Sequence, residues 1–232
     1  MVTLEGADAL VINGGGMEQF MDKVISLRAD LPVIDASEGI EMFPSDEEHD
    51  HDAHGHDDHD ELYNAHVWLD PNRAMIQVQN IAAGLAEADP EHAEAYQKNA
   101  ESYIARLTAL NAELAEQLAP FAGAEIITFH EAFPYFAEEF DLHIVKVVNR
   151  EPDSQPSAKE LADTIRLIES TDVKAVFAEP QYSTDAAQII AQESGATVYL
   201  LDPVVTGEND KDAYLRAMEQ NMEVLKEALG GA

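Results

Sequence analysis

Four short apolar runs in the second half of the chain, Glu125 to Phe129, His143 to Val148, Val173 to Ala178 and Thr197 to Leu201, are each followed by a stretch with helical spacing. Runs of this length rich in β-branched residues read as strands, and strands that alternate with helices lie parallel because each helix carries the chain back across the sheet. The predicted class is therefore α/β, a mostly parallel sheet with helices on both faces. The first half repeats the pattern in shorter form. Ala9 to Asn13 reads as a strand stopped by Gly14-Gly15-Gly16, Met17 to Leu31 has helical spacing through Phe20, Val24 and Leu27, and Leu31 to Ala36 reads as a second strand.

Between the halves lie two strongly marked helices. Asp70 is placed to cap a helix that begins at Pro71 and runs from Asn72 to Glu87, and Asp89-Pro90 opens another in the same way. From Glu91 to Leu118 the chain contains neither Gly nor Pro, which predicts a helix far longer than the usual ~11 residues. Its apolar stripe of Tyr103, Leu107, Leu110, Leu114 and Leu118 follows spacings of three and four, and Pro120 and Gly123 end it. The reading is an N-terminal α/β lobe over 1–88, a linking helix over 89–121 and a C-terminal α/β lobe over 122–232, two parallel-sheet lobes joined by a long rigid helix.

In parallel sheets, ligands bind beyond the carboxyl ends of the strands. Three polar residues stand at those ends: His130 after IITF, Glu179 after KAVFA and Asp202 after TVYLL. A further histidine, His66, precedes the Pro71 helix. Two imidazoles and a carboxylate make a suitable set of donors for zinc or manganese. Taken singly, each has a plainer reading: a strand-end His as a cap, Asp202 before Pro203 as a turn residue, and Glu179 before Pro180 as a helix N-terminal acid or a partner orienting a ligand His.

Metal is also the message of the segment Ser45 to Asp60, SDEEHDHDAHGHDDHD, which holds five of the nine histidines in the chain. His49, His51, His54, His56 and His59 alternate with acids, so weaker binding of several ions is expected there, since no rigid geometry is set before metal arrives. Elsewhere the composition mainly excludes. With 13 Lys plus Arg against 46 Asp plus Glu, the formal charge of -33 would repel nucleic acid and anionic membrane surfaces. There is no cysteine, so thiolate metal sites, disulfides and thiol nucleophiles are out and any metal site uses nitrogen and oxygen. No segment approaches the ~18 apolar residues of a membrane span, and the start, MVTLEGAD, has no basic and apolar export signal.

The ordered series NGGGMEQFMDK, the His/Asp-rich loop, NAHVWLDP, FHEAFPYF, FAEPQYS and LLDPV resembles the zinc and manganese solute-binding proteins of bacterial ABC transporters, and it does so over essentially the whole chain. The resemblance implies two α/β lobes with the metal in the cleft between them, a periplasmic or cell-surface location, and delivery to a membrane permease by a protein expected to be monomeric. Carried onto this chain, His66 would be the N-lobe ligand, His130 a C-lobe ligand and Asp202 the carboxylate that completes or flanks the site. The loop and the His at position 130, where the manganese branch usually carries Glu, favour Zn2+ over Mn2+. Against the family pattern the chain starts late, so the expectation is an N-terminally truncated member whose first lobe is incomplete and lacks one ligand His. Two other classes stay open: a zinc buffer or metallochaperone acting through the His-rich loop, and a metallohydrolase with Glu131 or Glu179 as base. The hydrolase lacks an HExxH helix or any marked nucleophile, so no enzyme activity is expected.

Overall fold

The computed structural model describes residues 6–45, 63–148, 156–171, 173–181 and 183–231, and the chain divides into two compact units, Met1–Thr108 and Ala109–Ala232. In the first unit, β1 (Leu10–Ile12) and β2 (Val33–Asp35) form a parallel pair with Val11 opposite Ile34. The turn after β1 is set by Gly14, whose φ of +88° and whose approach to Asp35 leave no room for a Cβ. The Glu18 carboxylate closes this turn by accepting the backbone N–H groups of Asn13 and Gly14 at 2.8 and 3.1 Å.

The segment between β1 and β2 departs from the helix expected over 17–31. It is broken into a 3-10 turn (Gln19–Met21), the short α1 (Asp22–Ile25) and another 3-10 turn (Ser26–Arg28). Phe20 and Leu27, two members of the expected apolar stripe, are 81% and 79% exposed. Short helices are held mainly by burying such a stripe. Here the spacing is right but the burial that would regularise the helix is missing.

The next two helices follow their signals more closely. α2 (Pro71–Ala88) starts with Pro71 in its first turn and Asp70 as N-cap; the Asp70 carboxylate accepts the Asn72 N–H at 2.7 Å and pairs with Arg73 at 2.8 Å. α3 (Ala93–Leu118) is 26 residues long, and Leu107, Leu110, Leu114 and Leu118 are all buried as the stripe predicts. Its start differs from expectation. Asp89 makes no capping bond, and Pro90–His92 forms a 3-10 turn. The Asp89 carboxylate is taken instead by the Tyr96 hydroxyl at 2.8 Å and the His92 ring at 2.7 Å. The limit between the two units falls within α3, after Thr108.

The second unit is built on four parallel strands, β3 (Glu125–Thr128), β4 (His143–Val147), β5 (Ala175–Ala178) and β6 (Thr197–Leu200), in the order β4-β3-β5-β6. Each is followed by a helix: α4 (Pro134–Glu139), α5 (Ala158–Ser170), α6 (Asp185–Ser194) and α7 (Ala213–Leu229). β5 is buried along its whole length, as a central strand covered on both faces must be. Ile127 and Val176 from the sheet meet Ile168 of α5 and Ile190 of α6 in one apolar cluster, so α5 and α6 share a face. The chain runs from β3 outward to β4 but from β5 outward in the other direction to β6. Right-handed crossovers then put α4 on the opposite face from α6, and the sense of winding reverses between β3 and β5. The class read from the sequence, α/β with parallel sheets, is the class of the structure.

Candidate metal site

In the first unit, His66 is held at a joint. An antiparallel bridge between Pro44 and Tyr63, the bond from Asn64 N–H to the Phe43 carbonyl at 2.9 Å and the bond from the Asn13 amide to the Ala65 carbonyl at 2.9 Å tie down the two residues before it. Gln77 of α2 in turn donates to the Asn13 Oδ1 at 2.9 Å and to the Ser37 hydroxyl at 3.0 Å. After His66 comes a 3-10 turn, Val67–Leu69, whose Val67 and Leu69 are fully buried, followed by the Asp70 cap of α2. The His66 side chain is half-buried, with its ring centroid 5.2 Å from that of Trp68. Its Nδ1 and its backbone N–H each lie 3.0 Å from the Asn64 Oδ1.

In the second unit, His130, Glu179 and Asp202 follow three neighbouring strands at the same edge of the sheet. His130 stands two residues past β3 and is half-buried. Glu179 directly follows β5 and is buried, and among the described residues its Oε1 has no hydrogen-bond partner. Burial, and secondarily the nearby charge of Asp202, pushes the Glu179 carboxyl up to about 7. Asp202, two residues past β6, is fixed at both backbone and side chain. Its N–H donates to the Asn221 Oδ1 at 2.8 Å and its carbonyl accepts from the Asn221 Nδ2 at 2.7 Å. Its Oδ1 accepts the Val204 N–H at 2.8 Å and the Gln181 amide at 3.2 Å.

Placement by topology is thus shared, and Asp202 lies near enough for its charge to act on the Glu179 carboxyl. Among the described residues no group of three or more His, Asp or Glu side chains is gathered as a metal site would need. His66 belongs to one unit and His130 with Asp202 to the other. His49, His51, His54, His56 and His59 lie outside the described residues. What the sequence reading missed is the amides. Asn221, buried at 1% exposure, sits among Leu215, Met218, Met222 and Leu225 on the apolar face of α7, and a polar residue inside such a stripe was the available signal. For Asn64 the available signal was of another kind, its place two residues before a candidate ligand.

Residues 1–228 match the family model described as ZnuA, zinc-uptake complex component A, periplasmic. The chain belongs to that family. The ZnuA family is one of transport binding components, not of enzymes. The high-affinity zinc uptake system protein ZnuA of Bacillus subtilis is 32% identical over 236 residues, covering 99% of this chain and 74% of that protein. The zinc-binding lipoprotein AdcA of Streptococcus pneumoniae is 31% identical over 232 residues, 97% of this chain, and the chain spans only 46% of that relative's length. A crystal structure of ZnuA superposes with a TM-score of 0.81 at 30% identity, covering 97% of this chain and 81% of that one. No helix among the described residues is long and apolar enough to cross a membrane.

Proposed function

We propose that this ZnuA-family chain captures Zn2+ outside the cytoplasm as cargo and passes it to the membrane permease of an ABC importer, with His66, His130 and Asp202 as the ligands of the tightly held ion. One observation carries the reading. The winding reverses between β3 and β5, the place where open parallel sheets form their ligand crevice, and the residues at the carboxyl ends on either side of it are His130 and Glu179, with Asp202 one strand further. Imidazole nitrogen and carboxylate oxygen suit zinc, and the cation would relieve the repulsion between the Glu179 and Asp202 carboxyls. Glu179 is assigned to holding the neighbouring groups in place instead of ligation. In this division of labour the helix α3 links two α/β lobes, and the tract from Ser45 to Asp60 collects ions loosely.

The test is a competition titration of metal-free protein with zinc against a chromophoric chelator, on the native chain, on His66→Ala and His130→Ala, and on a chain lacking residues 45–60. One tight site in the native chain and in the deletion, lost in both His variants, is the expected result. Binding should tighten as pH rises past ~6.5, because protons compete for the imidazole nitrogens. Loss of all tight binding with the deletion would replace capture for import with the second reading, a zinc buffer working through the His-rich tract, which the density of histidines there favours.

A further inference from the structure

The geometry around His66 points to Asn64 as a positioning residue that fixes which ring nitrogen His66 offers to a cation. The Asn64 side chain is buried at 6% exposure, and its Oδ1 lies 3.0 Å from the His66 backbone nitrogen and 3.0 Å from the His66 Nδ1. A backbone N–H can only donate. The amide atom facing it must therefore be the carbonyl oxygen, which settles the orientation of the Asn64 amide. That oxygen can only accept, so the Nδ1 that shares it must carry the ring proton. In the neutral ring this leaves the Nδ1–H tautomer, with the lone pair on Nε2.

The amide cannot easily turn away. Asn64 donates its own N–H to the Phe43 carbonyl, Ala65 is tied to Asn13 through its carbonyl, and Asn13 is tied to Gln77 of α2. Two residues further on, the backbone enters the turn of buried Val67 and Leu69. The ring orientation of His66 is thus referred back to the helix and sheet of its own unit before any ion binds. A hydrogen bond to the non-ligating nitrogen orients an imidazole and raises its basicity, and its loss typically costs 10–100-fold in metal affinity. Free imidazole side chains interchange tautomers readily, so an unguided His66 would have to pay for this choice on binding.

This inference rests on the proposed role of His66 in zinc capture, and the experiment has separate arms for the two. The first arm is long-range 1H–15N correlation of the histidine rings in metal-free native protein at pH 8, with His66 assigned by its absence from His66→Ala. The Nδ1–H tautomer is expected for His66. In Asn64→Ala that preference should disappear, while Asn64→Asp, which keeps an acceptor at the same place, should retain it. An Nε2–H tautomer in the native chain overturns the inference without any appeal to folding of the variants, and so does an unchanged tautomer in a folded Asn64→Ala. The second arm is the zinc competition titration. Asn64→Ala should weaken the tight site about 10–100-fold and Asn64→Asp should restore it, whereas equal affinity in Asn64→Ala and native protein overturns the positioning role. If His66→Ala itself binds zinc as tightly as the native chain, the proposed function of His66 fails instead, whatever the tautomer.

Discussion

Glu179 stores a penalty that pH can release. A carboxyl buried with one oxygen unpartnered among the described residues, beside a second carboxyl, is more easily folded protonated than ionised, and its folded value of about 7 stands above the ordinary 4.5. Folding therefore takes up a proton between those values. The sign follows: this contribution to stability is fully present below about 4.5 and is lost as pH rises through about 7. Glu179→Gln removes the titration and keeps the shape. In urea unfolding of metal-free protein, Glu179→Gln should gain on the native chain as pH goes from 4.5 to 8, by up to about 3 kcal/mol. Parallel pH profiles for the two proteins would show that the carboxyl is not strained as its burial implies. At this scale the placement of His130, Glu179 and Asp202 just past strand ends was readable in the sequence, because each follows an apolar run. Of Asn221 and Asn64 it gave a position without a role, and of Gln181 not even that, because an amide reveals its role only through the partner it meets.

The helices show which local signals decide and which do not. Asp70 before Pro71 and the capping box of Ser157 with Glu160 on α5 work as local chemistry says they should, because capping depends on atoms within a few residues. The segment over 17–31 has the right apolar spacing and still fails to form one helix, since that signal needs a surface to pack on. Gly84 of α2 sets two such effects against each other. Helix propensity alone favours Ala over Gly by about 1 kcal/mol. A Cβ at Gly84, however, would sit 2.7 Å from both Cγ1 and Cγ2 of Ile34, a buried residue of β2, and overpacking of that kind costs about 1–3 kcal/mol. Packing should win. Gly84→Ala is expected to lower stability by about 1 kcal/mol or more in the native background and to raise it by about 1 kcal/mol once Ile34→Ala has removed the clashing carbons. A double-mutant cycle by urea unfolding measures the coupling, and additivity of the two substitutions would mean that α2 and β2 do not approach as closely as their backbones suggest.

For the whole molecule, the α/β class was legible because alternating strands and helices leave few arrangements that bury all the apolar runs. The strand order β4-β3-β5-β6 was not, since nothing in a single strand's sequence names its neighbour. Net charge is another property of the whole chain that no single element reveals. At -33 over 232 residues, the folded state holds like charges together that the unfolded chain can spread apart, and this repulsion opposes folding. Exposed ion pairs such as Arg28 with Asp30 and Lys226 with Glu223 work the other way but contribute at most about 1 kcal/mol each. Salt weakens both, shortening the Debye length from about 30 Å at 0.01 M to about 3 Å at 1 M. With 46 acids and only 13 Lys plus Arg, most acids have no basic partner to lose, so screening should be a net gain. The unfolding midpoint of the metal-free chain, kept so by a chelator because bound zinc would itself shift it, should rise with NaCl across that range by at least ~2–4 °C, corresponding to about 1 kcal/mol or more for a chain of this size. A midpoint that stays flat or falls would mean that the few ion pairs outweigh the unpaired acids, and that the acidic excess is spaced widely enough on the folded surface to cost nothing.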